Sequence, residues 1–365
     1  MKQPVSALIS AHDAERIDRY AAAADAAGWL HPVQQAMLHR RGWLRMLAPR
    51  HCGGAELPLP EAVRLEESVA AVDGSMGWVL TLCAGAGWFA GFLQPELARS
   101  IIGTARVCLA GSGAPTGYAD QEGDGFRITG RWDYASGAPM ATHFTLNAIL
   151  RANGQPLLDE HGAPRIRAFL VPAAQVQVEP TWRSIGMRAS ASHSYRVESQ
   201  WIAREYGFAI SPAAATADGP LYRFPFYSLA YLTLVANLAG MAGHFLQLAR
   251  PCMQRRRHAV QGLPLLDVAE IAALLQTHEN GFDAARTRFY EVVDGSWQVI
   301  AAGAVLSPQQ VQAVRDVSLT LAGVCRTAVD QLYPYCGLQA AAVDSPLNRV
   351  WRDFHTATQH SLLLP

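Results

Sequence analysis

The stretch Pro346-Leu-Asn-Arg-Val-Trp-Arg-Asp-Phe-His-Thr-Ala-Thr-Gln-His360 closes a sequence of 365 residues. Its amphipathic pattern predicts a helix over residues 346–362. Three similar long segments come before it, at about 224–256, 265–297 and 307–335. Long amphipathic helices with short connections are typical of a four-helix bundle, which we predict for residues 216–365.

The rest of the chain divides into two regions. Residues 1–103 show helical periodicity broken by short glycine-containing segments. Residues 104–215 contain alternating β-type segments separated by Gly and Pro, without long helical patterns between them. We therefore predict an α+β fold, not a doubly wound α/β fold. It would have an N-terminal helical domain (1–103), a middle β-barrel or β-sandwich domain (104–215) and the C-terminal bundle.

Composition excludes several classes of function. Half of the residues are hydrophobic, 16% are charged and the formal net charge is zero, which argues against a nucleic-acid or anionic-membrane surface. Lys2 is the only lysine, so the folded body has no Schiff-base lysine and no phosphate-loop lysine. Low charge with a large apolar content favours burial between subunits, and we expect an oligomer.

The cysteines and the apolar runs bear on location. The six cysteines are far apart and form no CxxC pair, which argues against a zinc site. Since no charged-plus-apolar leader opens the chain, we expect reduced thiols in a cytoplasmic protein. The uncharged runs Gly74–Pro95 and Phe224–Gln247 are long enough to span a membrane, but glycines and polar residues interrupt them. We predict buried core helices.

Two motifs of the β region could contact a ligand. Gly111-Ser-Gly-Ala-Pro-Thr-Gly117 is one residue too long for GxGxxG and precedes another strand, so we expect a loop around Ser112 that lets a ligand approach the backbone. In Thr129–Gly137, alternation would place Trp132, Tyr134 and Ser136 on one face. Such a face could hold a flat heteroaromatic ring and hydrogen-bond its edge, or belong to an ordinary core strand.

Two further segments carry cations. Trp182-Arg-Ser-Ile-Gly-Met-Arg-Ala-Ser-Ala-Ser192 surrounds Arg188 with small residues and hydroxyls, which could offer a guanidinium and backbone N–H groups to phosphate oxygens or form an ordinary loop. Arg255-Arg-Arg-His258 stands at the predicted end of a long helix, where cations are stabilising with or without a phosphate partner. His360 has no Cys or carboxylate at ligand spacing and, taken alone, indicates a surface or capping histidine.

Together these segments resemble the acyl-CoA dehydrogenase fold superfamily over nearly the whole chain. Trp43–Gly54 is similar to its N-terminal "vPeeyGG" element, Gly186–Ser192 to its GMRGTGS segment and Arg349–Asp353 to its terminal RxxRD. The resemblance implies an N-terminal helical domain, a β domain and a C-terminal four-helix bundle. It also implies a tetramer with flavin between the domains.

The position after RxxRD separates two chemistries of the superfamily. The common dehydrogenase pattern places a glutamate base eight residues after the RD pair, where this chain has Ser361, and no Asp or Glu follows Asp353. The two-component (group D) flavin-dependent monooxygenases look closer. Gly130–Gly137 resembles their "GrWxfaSG", Asp73–Trp78 their "DgSxxW", and His360 their terminal histidine.

That resemblance assigns roles to particular residues. Ser136 would bond the flavin near N5, Tyr134 would pack along the isoalloxazine, and His360 would face the reactive C4a side, which makes His360 and Ser136 the predicted catalytic pair. The other predicted flavin contacts are Trp132, Ser112, Met187, Arg188, Ser190 and Arg257. His258 stands where the dehydrogenase pattern RxxFGxP has an arginine, so FMN and FAD both remain possible.

The resemblance thus implies a monooxygenase component that accepts reduced FMN or FAD from a partner reductase. Through a C4a-hydroperoxyflavin it would oxygenate a small aromatic or heteroatom-containing substrate. Two alternatives stay open: an acyl-CoA dehydrogenase-like FAD oxidoreductase with its base on another helix, and a non-catalytic helical scaffold of the same fold.

Overall fold

The structure is a computed structural model that describes residues 9–364; Lys2 and the rest of residues 1–8 lie outside the described part, as does residue 365. The first region is helical, as predicted. Its helices are α1 Ala11–Ala27, α2 Pro32–Arg40, α3 Leu59–Ala70, α4 Gly74–Trp88 and α5 Pro95–Ile102. Side chains start several of them: the Ser10 hydroxyl accepts the Asp13 N–H at 3.0 Å, and the Asp73 carboxylate accepts the Met76 N–H at 3.2 Å.

One mixed sheet forms the second region. The strands are β1 Leu109–Gly111, β2 Gly117–Glu122, β3 Gly125–Ala135, β4 His143–Ala152, β5 Gln155–Pro156, β6 Ile166–Pro172, β7 Gln177–Glu179, β8 His193–Ala203 and β9 Gly207–Phe208. The hydrogen-bonded order is β7-β8-β3-β2-β4-β6-β9, with β1 and β5 both paired to β4. Antiparallel pairs dominate, while β1 and β2 run parallel to β4. The sheet has a core of its own around Trp132, Tyr195 and Phe144.

Long helices return in the third region and pack as a bundle. They are α6 Phe226–Arg255, α7 Ala269–Ala301, α8 Pro308–Cys336, the short α9 Leu338–Ala341 and α10 Pro346–Ala357. Helix α8 packs against α6 and α7, and α10 packs against α6. The predicted α+β order, helical then β then bundle, is confirmed.

The terminal helix ends earlier than predicted. Helix α10 stops at Ala357, and a separate 3-10 turn follows over Ser361–Leu363. His360 is extended, with φ −63° and ψ 131°, and caps that turn. His360 therefore lies outside α10, and the 3-10 turn, not the helix, fixes the position of its ring.

The two long apolar helical segments belong to the core. Gly74–Phe92 and Phe226–Arg255 both have the length and hydropathy of a membrane span, but 83% and 78% of their most apolar windows are buried inside the fold. Glycine makes their close packing possible: a Cβ on Gly77 would lie 2.7 Å from Ala70, and one on Gly240 would lie 2.4 Å from the Glu67 carbonyl oxygen. Helices α3, α4 and α6 thus form one tightly packed layer.

Candidate functional site

A row of three buried hydroxyl groups lies where the sheet meets α4. Ser136 follows β3, and its Oγ accepts a hydrogen bond from Trp78 Nε1 at 3.1 Å. The Ser136 and Ser192 hydroxyls are 2.8 Å apart, and Ser192 and Ser190 are 2.7 Å apart. We call Ser136, Ser190 and Ser192 the serine row. A hydroxyl has one proton and two lone pairs, so Trp78 fixes one lone pair of Ser136 and leaves its proton directed elsewhere.

His360 contacts Trp78, whose indole N–H also bonds Ser136 of the serine row. The rings of Trp78 and His360 lie edge to face with centroids 6.0 Å apart. His360 Nδ1 accepts the Leu362 N–H at 3.3 Å, so the proton of the neutral ring sits on Nε2. Burial lowers the pKa of His360, which keeps the imidazole neutral at neutral pH. The ring therefore offers Nε2–H as a hydrogen-bond donor.

Local structure explains why these residues converge. Asp73 caps α4, and its other carboxylate oxygen accepts from the Gln34 side-chain amide at 2.7 Å, which ties the start of α4 to α2. Trp78 stands one and a half turns further along α4. Gly137, with φ 74°, turns the chain immediately after Ser136, and its N–H donates to the Ser190 carbonyl oxygen at 2.8 Å.

Strand β3 does not follow the predicted alternation. Its register with β8 shifts between Trp132 and Ala135, and Tyr134 has a left-handed φ of 68°. This bulge separates the side chains that alternation would place together. Trp132 is fully buried in the sheet core and stacks on Tyr195, whereas Tyr134 is 71% exposed. The expectation of one shared face is wrong, and Trp132 has no surface to offer a ligand.

Loop 182–192 carries the next group of predicted residues. The Tyr134 ring meets Trp182 edge-on at 6.1 Å, and Trp182 Nε1 donates to the Met187 carbonyl oxygen at 2.9 Å. Met187 has φ 52°, and Arg188 after it is exposed. The structure therefore gathers Tyr134, Met187, Arg188 and the serine row at one edge of the sheet.

Two predicted residues have hydrogen-bond partners outside this group. The Ser112 N–H donates to the Thr145 carbonyl oxygen at 3.1 Å, so that backbone group is already bonded. Arg257 donates to the Gly262 carbonyl oxygen at 2.7 Å in the turn after α6. Met241 of α6 faces Gly74 at the start of α4, and residues 241–255 span about 20 Å of helix beyond it. Arg257 does not join the site within one chain.

Sequence reasoning missed two contacts. Ser192 was part of a quoted motif but was not singled out, and it links Ser136 to Ser190. Trp78 was noted only as part of a resemblance, yet it is the residue that contacts both Ser136 and His360. Hydroxyls two residues apart in a loop, and a tryptophan after a helix cap, are the signals that could have identified them.

The arrangement suits a flat aromatic ligand with a polar edge and an anionic tail. The exposed Tyr134 ring offers a stacking face, the serine row offers hydroxyls, and Arg188 offers a guanidinium for phosphate oxygens. A flavin nucleotide has these three parts. Within residues 9–364, the hydrogen bonds of Trp78, Ser136 and His360 go to hydroxyl and backbone groups.

Comparison with known sequences agrees with this chemistry. Residues 232–365 match the family model described as acyl-CoA dehydrogenase, C-terminal domain. The chain is 24% identical over 326 residues to an indole-3-acetate monooxygenase of Acinetobacter baumannii, covering 89% of this chain and 82% of that one. It is 23% identical over 333 residues to the flavin-dependent monooxygenase oxygenase subunit HsaA of Rhodococcus jostii, covering 89% and 85%.

Solved structures show the same fold. The HsaA monooxygenase of M. tuberculosis superimposes with a TM-score of 0.89 at 21% identity, over 99% of this chain and 93% of that one. XiaF from Streptomyces sp., in complex with FADH2 and glycerol, has a TM-score of 0.86 at 21% identity over 98% and 93%. TdsC from Paenibacillus sp., with FMN and indole, has a TM-score of 0.80 at 18% identity over 98% and 92%.

Proposed function

We propose a function on the premise that this chain belongs to the acyl-CoA dehydrogenase fold superfamily and, within it, to the two-component flavin-dependent monooxygenases. The chain is the oxygenase component. It takes reduced FMN or FAD from a separate reductase and uses O2 to oxygenate a small aromatic or heteroatom-containing substrate. The observation that carries this proposal is the series of contacts from Ser136 through Trp78 to His360.

The residues that would hold the flavin are Tyr134, the serine row and Arg188. Tyr134 would cover the ring, Ser136 would bond its polar edge, and Arg188 with the backbone around Met187 would meet the phosphate. Bound reduced flavin supplies the activation of O2. The flavin roles of Ser112 and Arg257 have less support, since the Ser112 N–H is bonded within the fold and Arg257 lies at the far end of α6.

His360 would act as a hydrogen-bond donor at the reaction centre. Its Nδ1 is engaged by the Leu362 N–H, so Nε2–H is the group left for an oxygen atom beside Trp78. A neutral donor stabilises negative charge that develops on such an oxygen, whereas a carboxylate in the same place would repel it.

We also propose a cytoplasmic homotetramer. All six cysteines are free thiols, which suits a reducing compartment. The end of the bundle near Arg257 exposes large apolar side chains, with Val260, Leu338 and Val343 at 90%, 91% and 82% exposure. Arg257 would reach a flavin only on another subunit. Light scattering of the purified protein tests this assembly, and full activity as a monomer would contradict it.

The test of function is His360→Ala. Removing a positioned donor or proton-transfer group costs about 100-fold or more in rate. We expect oxygenated product to fall by that factor when reduced flavin, labelled O2 and a panel of phenols, amines and sulfur heterocycles are supplied. Flavin affinity should change little, because Tyr134 and the serine row remain.

His355→Gln is the matched control. His355 lies on α10, five residues before His360, with its Nε2 3.2 Å from Asp330 Oδ1, and its replacement should leave product formation unchanged. Equal activity of the two variants would remove the role assigned to His360. Protein that binds no flavin, oxidised or reduced, would favour the scaffold, and anaerobic bleaching of bound FAD by acyl-CoA would favour the dehydrogenase.

A further inference from the structure

Asp353, the last residue of the RxxRD motif, lies where three parts of the site meet. Its Oδ1 accepts the Met187 N–H at 2.5 Å, which attaches loop 182–192 to the terminal helix. Gly74, at the start of the helix that carries Trp78, packs against it: a Cβ on Gly74 would lie 3.2 Å from the Asp353 Cβ. Seven residues further along the chain stands His360.

Two neighbouring contacts strengthen the same attachment. Arg352 Nη1 donates to the Ile185 carbonyl oxygen at 2.5 Å and is itself paired with Asp25 at 2.8 Å through Nη2. Gly186 lies against the helix backbone so closely that a Cβ there would be 2.0 Å from the Arg352 carbonyl oxygen. Residues 185–187 are thus held against 352–353 by the Arg352 side chain, by the close packing of Gly186 on the helix backbone and by the Asp353 carboxyl group.

We propose that Asp353 is a positioning residue for oxygenation: its neutral carboxyl group holds loop 182–192, the start of α4 and the terminal segment in the arrangement that brings Ser136, Trp78 and His360 together. This inference rests on the proposed function. Asp353 does not touch the reacting atoms, since its bonds go to the backbone of Met187. It acts through the three elements that carry the residues that do.

The neutral state follows from the surroundings. Asp353 and Asp73 are both buried, and two carboxylates beside each other in a dry interior do not both ionise cheaply. Asp73 accepts from two donors, the Gln34 amide and the Met76 N–H, which favour its charged form. Among the described residues, Asp353 accepts from one donor, the Met187 N–H. The proton of the pair therefore resides on Asp353.

The charged groups around the pair point the same way. Burial, then the charge of Asp73 and that of Asp25 on α1, raise the pKa of Asp353 to about 8 against the opposing effects of the Met187 N–H and Arg352. Burial also raises the pKa of Asp73, opposed by Arg349 on α10. Above about pH 8 Asp353 loses its proton, and the added negative charge beside Asp73 loosens the contact between loop 182–192 and α4.

The experiment compares Asp353→Asn with Asp353→Ala. Asparagine keeps an acceptor for the Met187 N–H and cannot ionise, so it copies the neutral acid at every pH. Alanine leaves a buried N–H without a partner. The first readout uses flavin-free protein: hydrogen–deuterium exchange of segment 182–192, expressed as the ratio of variant to wild type at pH 7 and pH 9.

We expect Asp353→Asn to match the wild type at pH 7 and to be better protected at pH 9. Asp353→Ala should exchange about tenfold faster at both, as expected for one lost buried hydrogen bond. The second readout is the pH profile of oxygenation: the wild type should decline above about pH 8, while the asparagine variant stays flat. Asp330→Asn, a surface acid facing the same helix, is the control and should follow the wild type.

Two outcomes would contradict the role proposed for Asp353. If asparagine fails like alanine at pH 7, the carboxyl group works as an anion and the proposal is wrong. If alanine leaves the protection of 182–192 unchanged, Asp353 positions nothing. Should alanine not fold, the asparagine comparison at the two pH values still decides. If the wild type oxygenates no substrate, the exchange measurement stands by itself and the failure belongs to the proposed function.

Discussion

Asp353 and Glu66 are both buried acids, but they differ in their hydrogen bonding. Asp353 receives the Met187 N–H, and its neighbour Asp73 receives two donors. Among residues 9–364, Glu66 on α3 has no hydrogen-bond partner for either carboxylate oxygen, and Asn237 on the facing α6 has none for its side-chain amide. Paired polar groups hold the site in one geometry, whereas the unpaired ones at the α3–α6 interface only cost stability.

The largest effect is expected from removing Glu67, a hydrogen-bonded acid that follows Glu66 in the sequence. Glu67 receives hydrogen bonds from Arg286 and from the Tyr290 hydroxyl, across to α7. Glu67→Leu leaves both donors without their acceptor and should lower the free energy of unfolding by about 3 kcal/mol. Urea unfolding at pH 7 measures it, and a loss below about 1 kcal/mol would show that this pair is not what binds α3 to α7.

Trp78 and Trp88, both on α4, allow the loss of a hydrogen bond in the site to be compared with the same loss in the core. Trp78→Phe removes the N–H that orients Ser136 and should reduce oxygenated product about 10- to 100-fold, since one buried hydrogen bond is lost. Trp88 donates to the Leu221 carbonyl oxygen at 3.0 Å, away from the serine row. Trp88→Phe makes the same chemical change and should affect stability but not turnover. Equal losses of turnover in both variants would contradict the assignment of Trp78.

The smallest expected effect is an increase in stability. Glu66→Leu removes a buried carboxyl group that has no hydrogen-bond partner among the described residues, and it should raise the free energy of unfolding by about 1 kcal/mol. Burial holds the pKa of Glu66 well above its ordinary value of 4.5, so the folded protein keeps a proton that the unfolded chain releases. Wild-type stability therefore falls as the pH rises above that ordinary value, and leucine has no such slope.

Unfolding at pH 5 and pH 8 measures the difference. The advantage of Glu66→Leu should be larger at pH 8, while turnover stays at the wild-type level. A variant less stable than the wild type at both pH values would mean that Glu66 contributes to the interface, and the contrast with Asp353 would disappear.

Much of the site was predictable, because its residues stand in short motifs. Asp73, Trp78, Ser136 and Ser190 occur in segments with recognisable caps, turns and hydroxyls, and His360 stands just before Ser361, the position of the glutamate in the dehydrogenase pattern. The family, fold class and flavin chemistry predicted from them agree with the relatives found.

The errors share one physical cause. Alternation placed Trp132 and Tyr134 together, but a bulge in β3 turned one into the core and the other to the surface. Helical periodicity extended α10 to residue 362, but the chain ends the helix at Ala357 and His360 caps a new turn. Bulges and caps depend on which partner strand or backbone group is nearby, and period alone does not contain that information.

The amino-acid sequence by itself determined the order of helical, β and bundle regions, because hydrophobic periodicity is local. It also determined that the terminal segment carries a histidine and no acid after Asp353. Only the tertiary structure decided that Trp78 joins Ser136 to His360, and that Asp353 binds the Met187 backbone 166 residues away in sequence. Those contacts join distant segments, and packing of α4 against β1 and of α10 against α4 and α6 creates them.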